Sequence, residues 1–127
     1  MSNHAPTSAL PAVLVVEDEF VVRLNLFETM LNNGFRTYEA ASADEAMEIL
    51  ESRPDIGVVF TDVNMPGSMD GLALAQRVRQ HWPSIRVVIT SGRAPPPAEM
   101  MAGAVAFVPK PYRVGELPGF FRNIAAA

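Results

Sequence analysis

The chain has 127 residues, no cysteine and a formal net charge of −4 at pH 7. This length suits one domain, which can bury about two-thirds of its surface without disulfides or a structural metal. The absence of cysteine excludes disulfide scaffolds, zinc knuckles and thiol catalysis, and the acidic balance argues against nucleic-acid binding. No apolar stretch is long enough for a membrane span, and the N-terminus lacks a secretory signal. We therefore expect a soluble cytoplasmic domain that binds neither nucleic acid nor membrane.

The chain begins with a polar segment, a strand and a helix. Residues 1–11 are small, polar and proline-bearing, so we expect a disordered lead-in, followed by one domain over residues 12–127. The apolar run Val13–Val16 is typical of a parallel strand covered on both faces. The weaker run Phe35–Glu39 predicts a strand nearer an edge. Between these runs, a helix ending near Gly34 is predicted by apolar residues at helical spacing, namely Phe20, Leu24, Phe27 and Leu31.

The middle of the chain alternates in the same way. The segment Ser42–Glu45 fits a capping box that opens a second helix, and Pro54 follows its end. Ile56–Phe60 predicts the third strand, because it is short, apolar and rich in β-branched residues. A third helix, closed before Pro83, is predicted by Leu72, Ala75 and Val78.

The last part of the chain supplies two more strands and a final helix. Arg86–Ile89 and Val105–Val108 are further apolar runs of the strand type. Three consecutive prolines lie between Gly92 and Gly103, so a fourth helix there has room for only about one or two turns. The final helix is predicted by Leu117, Phe120, Phe121 and Ile124, with Pro118 in its first turn.

The alternation of strand and helix predicts an α/β fold with a doubly wound parallel sheet. The sequence contains no internal repeat, and the short connections leave no room for a second domain. In folds of this kind, ligands bind beyond the carboxyl ends of the strands.

Charged and hydroxyl side chains follow the predicted strand ends. Glu17 and Asp18 follow the first strand, Asp62 the third, Thr90 the fourth and Lys110 the fifth. Like charges about 4 Å apart repel by about 4 kcal/mol at an effective dielectric of 20, so this acidic group needs a cation. Oxygen ligands without histidine or thiol favour a hard ion, Mg²⁺ before Zn²⁺. The charges of the three carboxylates, the lysine and Mg²⁺ then sum to zero.

Each of these residues alone would more often be structural than functional. An acidic residue after a strand is usually a solvated loop end or a helix cap, and we interpret Glu19 in this way. The occurrence of all of them at four strand ends favours a functional site. A start resembling a calcium loop at Asp62 lacks the glutamate that such loops carry at their last position. No glycine-rich motif for a dinucleotide or nucleoside triphosphate is present, and His4 and His81 fit structural or incidental roles.

Four segments in this order resemble the receiver domain of bacterial two-component response regulators. They are Val13–Glu19 (VLVVEDE), Thr61–Gly67 (TDVNMPG), Val88–Gly92 (VITSG) and Phe107–Tyr112 (FVPKPY). The resemblance covers about residues 12–125. It implies a flavodoxin-like fold with a five-stranded parallel sheet in the order 2-1-3-4-5 and flanking helices, here with a shortened fourth helix.

The resemblance also implies a phosphoryl-accepting site. Asp62 would accept the phosphoryl group from a phosphohistidine of a partner protein. Asp18 and Asp62 would bind Mg²⁺, or Mn²⁺, directly, and Glu17 would bind it directly or through water. The backbone carbonyl of Asn64 would be a further ligand.

The remaining site residues implied by the family belong to the last two strands. Thr90 would hydrogen-bond the phosphoryl group, and the small Ser91 would leave access to it. Lys110 would pair with a phosphoryl oxygen, and the peptide before Pro111 is expected to be cis. Phe107 occupies the position of the family's switch aromatic but has no hydroxyl, so its coupling to Thr90 would be weaker or purely steric.

The implied function is signalling rather than metabolic catalysis, with self-phosphorylation from phosphohistidine and room for autodephosphorylation. The donor would be a sensor histidine kinase or a histidine phosphotransfer protein, and the downstream protein target is not indicated. The loop Pro66–Gly71 is one residue longer than the usual form, which would reshape the edge of the site. No output domain follows the last helix, which suggests a stand-alone or excised receiver.

Two other functions fit these residues less well. A small phosphohydrolase using Asp62 as nucleophile would need a second carboxylate two positions on, where this chain has Asn64, and a cap domain. A receiver fold acting only as a docking surface is disfavoured by the intact set Asp18, Asp62, Thr90 and Lys110. These residues do not separate a signal carrier from a phosphate sink.

Overall fold

The structure is a computed structural model that describes residues 10–93, 101 and 103–126, without the side chain of residue 126. Most of the expected lead-in and most of the expected short fourth helix lie outside the described residues. Leu10 packs against the core, and its carbonyl oxygen accepts a hydrogen bond of 3.3 Å from Arg36. The boundary between residues 11 and 12 stays a prediction.

Five parallel strands form one sheet in the order β2-β1-β3-β4-β5, as predicted. The central strands β1, β3 and β4 are almost entirely buried, which explains their continuous apolar runs, whereas β2 and β5 lie at the edges. The strands are β1 (Ala12–Val16), β2 (Thr37–Ala40), β3 (Ile56–Asp62), β4 (Arg86–Ser91) and β5 (Ala106–Pro109).

Four α-helices occur in the part of the chain that the structure describes, and none of them is long and apolar enough to cross a membrane. Apolar residues of α2 and α3 cover one face of the sheet, and those of α1 and α4 cover the other. A short 3-10 helix at Val114–Glu116 precedes α4, and Pro118 lies in the first turn of α4, as expected. The helices are α1 (Phe20–Asn32), α2 (Ala43–Ser52), α3 (Gly71–His81) and α4 (Leu117–Ala126).

Side-chain caps define where two helices begin. The Ser42 hydroxyl accepts the backbone N–H of Glu45 at 3.1 Å, as the capping box predicted. Asp70 accepts the backbone N–H of Ala73 at 2.9 Å and caps α3. Such a cap contributes about 1 kcal/mol. Both caps fix the loops that lead from strand ends into helices, and these loops border the predicted site.

The residue spacing predicted α1 correctly but not its buried side. The fully buried residues of α1 are Leu26 and Met30, which pack against Val13 and Val15. Phe20 is 63% exposed, and Leu24 and Leu31 are exposed too. The middle of α1, through Leu26 and Met30, therefore packs on the sheet, while its first residues face away from it. An apolar surface is therefore left open beside the end of β1.

The packing of α4 can be tested at two adjacent phenylalanines. Phe121 is fully buried, with its ring centroid 5.3 Å from that of Phe60, whereas Phe120 is half-buried. We expect Phe121→Ala to lower the free energy of unfolding by about 3–5 kcal/mol, because it leaves a cavity in the core. Phe120→Ala should cost clearly less. Urea denaturation of both variants measures this, and equal losses would contradict the placement of α4.

Candidate functional site

Parallel pairing brings the carboxyl ends of β1, β3, β4 and β5 to one edge of the sheet. Glu17 directly follows β1, Asp62 is the last residue of β3, and Lys110 directly follows β5. Glu17 is 2% exposed and Asp62 is 6% exposed, so both carboxylates are largely shielded from water. Asp18 lies beside them and is exposed.

Lys110 joins the two buried carboxylates. Its ammonium nitrogen Nζ lies 2.5 Å from Asp62 Oδ2 and 3.9 Å from Glu17 Oε1. The other oxygen of Asp62, Oδ1, accepts the backbone N–H of Asn64 at 2.9 Å. Glu17 Oε2 accepts the backbone N–H of Glu19 at 3.0 Å. The Asp62 carboxylate is thus held at both oxygens.

The negative charges of Glu17 and Asp62 lie close together where little water reaches them. Burial raises the pKa of Glu17, and the N–H of Glu19 and the charge of Lys110 oppose this rise without cancelling it. The partial burial of Lys110 would by itself lower its pKa, but its hydrogen bond and charge attraction to Asp62 outweigh burial and leave that pKa raised. Lys110 therefore stays protonated and is attracted to anionic groups at this edge.

Hydroxyl and amide groups complete the edge. Thr90 Oγ1 donates a hydrogen bond of 2.6 Å to the carbonyl oxygen of Val108 in β5. Ser91 Oγ accepts the backbone N–H of Arg93 at 3.1 Å. Phe107 pairs with Ile89 and packs toward the face covered by α2 and α3. The structure therefore brings Thr90 to the site edge and places Phe107 one residue away along the neighbouring strand.

The loop Pro66–Gly71 is held in its middle and at its last residue. Ser68 Oγ donates a hydrogen bond of 2.8 Å to Asp44 at the start of α2. A Cβ atom at Gly71 would lie 2.0 Å from the carbonyl oxygen of Asp62, so only glycine lets the loop close there. This close approach fixes the backbone directly behind the Asp62 side chain.

The metal-binding capacity of the site is limited to a few protein ligands. Within the described ranges, no group of three or more acidic or histidine side chains could hold a metal ion. Mg²⁺ typically uses only one or two carboxylates and keeps several waters. The two buried carboxylates, with exposed Asp18 beside them, fit such an ion by the chemistry of their oxygens.

Sequence reasoning missed two residues near the site. Tyr112 packs edge-on against Phe60, with ring centroids 5.6 Å apart. Burial, together with the charges of Glu17 and Asp62, raises the pKa of Tyr112 to about 12. Arg23 donates a hydrogen bond of 2.9 Å to the backbone carbonyl oxygen of Glu17. The only signal for Tyr112 was its position two residues after Lys110, and Arg23 resembled any solvated residue of a helix.

The family profile of the response regulator receiver domain matches residues 13–121, which include the whole candidate site. The chain belongs to this family. The five-stranded parallel sheet in the order observed is the fold of its CheY-like members. The Lys110–Pro111 peptide is cis, as the resemblance led us to expect.

Two known proteins and a solved structure are similar to the chain. It is 36% identical over 117 residues to the sensor kinase CckA of Brucella abortus (strain 2308), covering 87% of this chain and 12% of that protein. It is 31% identical over 111 residues to sporulation initiation phosphotransferase F of Bacillus subtilis (strain 168), and the match covers 83% of this chain and 86% of that protein. A crystal structure of a response regulator receiver protein from Pseudomonas putida matches with a TM-score of 0.78 and 30% identity, and the match covers 93% of this chain and 99% of that one. Because this receiver spans so little of the sensor kinase, the kinase's own activity is a property of that protein alone.

The environment of Tyr112 gives a pH-dependent prediction. In a Tyr38→Phe variant without Mg²⁺, tyrosinate absorbance should rise with a midpoint near pH 12, against 10.0 for a free phenol. Because the folded chain keeps this proton and the unfolded chain loses it from about pH 10, stability should fall as pH rises between these values.

The Asp62→Asn substitution, made in the same Tyr38→Phe variant, separates the effect of the Asp62 charge on the pKa of Tyr112 from the effect of burial. Removal of the Asp62 charge should lower the midpoint without returning it to 10.0, since burial is the larger cause. A midpoint that Asp62→Asn leaves unchanged would contradict the placement of Tyr112 beside the acidic edge.

Proposed function

We propose that this receiver accepts a phosphoryl group on Asp62 from the phosphohistidine of a sensor histidine kinase or a histidine phosphotransfer protein. It acts in the cytoplasm and signals through contacts with a downstream protein. The observation that carries the proposal is the placement of Asp62, which is buried at a strand end with Oδ2 on the Lys110 ammonium and Oδ1 on a backbone N–H.

The reaction needs little covalent chemistry from the protein. A carboxylate oxygen of Asp62 attacks phosphorus, the bond from phosphorus to the histidine nitrogen breaks, and its electron pair stays on the imidazole. The product is an acyl phosphate on Asp62. Negative charge spreads over the equatorial oxygens in the transition state. Lys110 lies where it can pair with one of these oxygens without reorganisation of the site.

A divalent cation would balance the remaining charge. Asp18 and Asp62 would bind Mg²⁺, or Mn²⁺, directly, Glu17 directly or through water, and Asn64 through its backbone carbonyl. When bound, the ion neutralises negative charge on the phosphoryl oxygens and the carboxylates. The burial of Glu17 and its raised pKa support a site that gains from a further positive charge.

Thr90 links phosphorylation to the edge strand. Its hydroxyl donates to the Val108 carbonyl, and a phosphoryl group on Asp62 offers a stronger, charged acceptor. Transfer of this hydrogen bond would free the Val108 carbonyl in β5. Phe107 would respond through packing alone, because it has no hydroxyl to follow Thr90.

This chain presents an apolar surface on which the phosphoryl donor can dock. A cleft of about 570 Å³ lies between α1 and the segment after β5, and Val21, Lys110, Pro111 and Tyr112 line part of it. Phe20, Val21 and Leu24 are exposed on the same helix. The cleft is lined by Lys110, which contacts Asp62, so a protein that binds there lies close to the acceptor carboxylate, and this supports a protein donor.

The nucleophile assignment predicts where the label goes. With acetyl phosphate and Mg²⁺, intact-mass measurement should show one phosphoryl group per wild-type chain and none on Asp62→Asn, which keeps the shape but removes the attacking anion. Asp55 precedes the same strand at its opposite end, so Asp55→Asn is a matched control that should still be labelled. Persistent labelling of Asp62→Asn at another residue would overturn the assignment.

The charge balance predicts opposite effects for two variants. Asp18→Ala removes a metal ligand, so calorimetry should show weaker Mg²⁺ binding and labelling should slow strongly. Lys110→Ala removes a competing positive charge, so Mg²⁺ should bind as tightly or more tightly while phosphorylation is impaired. Equal losses of Mg²⁺ affinity in both variants would contradict these separate roles.

A further inference from the structure

Arg23 connects three elements around the acidic edge. Its Nε donates a hydrogen bond of 3.0 Å to Glu39 Oε1 on β2, and its Nη1 donates one of 2.9 Å to the backbone carbonyl oxygen of Glu17. Its guanidinium carbon lies 5.6 Å from the ring centroid of Phe20. The Arg23 side chain is only 14% exposed, whereas the Glu39 side chain is 39% exposed, so the guanidinium is shielded from water more than its partner carboxylate is.

The carbonyl that Arg23 binds belongs to the peptide between Glu17 and Asp18. The hydrogen bond from Arg23 restrains this peptide, and with it ψ of Glu17 and φ of Asp18, the two backbone torsions that place Asp18 relative to β1. The Glu17 side chain is held separately by the N–H of Glu19, but Asp18 is exposed at the edge of the site. The hydrogen bond from Arg23 therefore helps to fix the backbone from which the Asp18 side chain extends.

We propose that Arg23 is a positioning residue for Glu17 and Asp18, an inference that rests on the proposed function of the site. Glu39 anchors the guanidinium on β2, and the guanidinium holds the Glu17 carbonyl, so the turn after β1 is fixed to the neighbouring strand. The planar guanidinium serves both acceptors from two separate nitrogens, Nε and Nη1, whose N–H groups point in fixed, divergent directions. A lysine ammonium on a flexible chain keeps the charge but not this geometry.

Arg122 provides a matched control at the opposite end of α1. Its Nη2 donates a hydrogen bond of 2.8 Å to the backbone carbonyl oxygen of Asn33, and its guanidinium carbon lies 5.6 Å from the Phe35 ring centroid. Arg23 and Arg122 thus make the same two kinds of contact, one with the turn before α1 and one with the turn after it. Substitution of each by lysine separates a local effect on the site from a general loosening of α1.

The test is calorimetric Mg²⁺ titration of Arg23→Lys, Arg122→Lys and wild type. Each protein is measured well below its unfolding temperature, so that all three are folded. Because lysine keeps the charge, a change in affinity reports on geometry. Arg23→Lys should weaken Mg²⁺ binding about tenfold, as expected when a group that orients metal ligands is lost. Arg122→Lys should stay within about twofold of wild type.

Labelling of wild type with acetyl phosphate distinguishes the ways in which the test can fail. If wild type binds Mg²⁺ and is labelled while Arg23→Lys matches it in affinity, the positioning role is wrong and the proposed function stands. An equal loss of affinity in both lysine variants would likewise overturn the positioning role, since α1 as a whole would then be responsible. If wild type neither binds Mg²⁺ nor is labelled, the proposed function is wrong and the role of Arg23 falls with it.

Discussion

The pairing of Lys110 with Asp62 is the interaction on which the rest of the site depends. A buried carboxylate without a partner costs several kcal/mol, and here Glu17 and Asp62 are both buried at one sheet edge. Lys110 must reach past the end of β4 to meet Asp62 on β3. Its backbone N–H donates a hydrogen bond of 3.0 Å to the Ser91 carbonyl, which anchors the lysine at that point.

Much of the fold could be predicted because its signals are local. A short β-branched run such as Val13–Val16 is typical of a strand that is covered on both faces in the centre of a parallel sheet. Once the strands are parallel, their carboxyl ends must share an edge. Glu17, Asp62 and Lys110 could therefore be grouped from sequence order alone, and the structure brings these three together. The resemblance to receiver domains added the strand order.

The parts that could not be predicted depend on how elements pack. The apolar spacing around Phe20 is that of a helix, but the turn after β1 determines that Leu26, rather than Phe20, faces the sheet. The contact between Arg23 on α1 and Glu39 on β2 could not be predicted, because the fold and not the sequence spacing brings the two residues together. Tyr112 has a raised pKa because the fold carries it to Glu17 and Asp62. Most of the segment between Gly92 and Gly103, where a short fourth helix was predicted, lies outside the described residues.

The most direct test of the account is reductive trapping of the acyl phosphate. Borohydride converts a phosphorylated aspartate to homoserine, and peptide mass spectrometry then locates the converted residue. The account predicts homoserine at Asp62 after treatment with a phosphodonor and Mg²⁺, and none when the donor is omitted. Homoserine at a different acidic residue, with Asp62 intact, would contradict it.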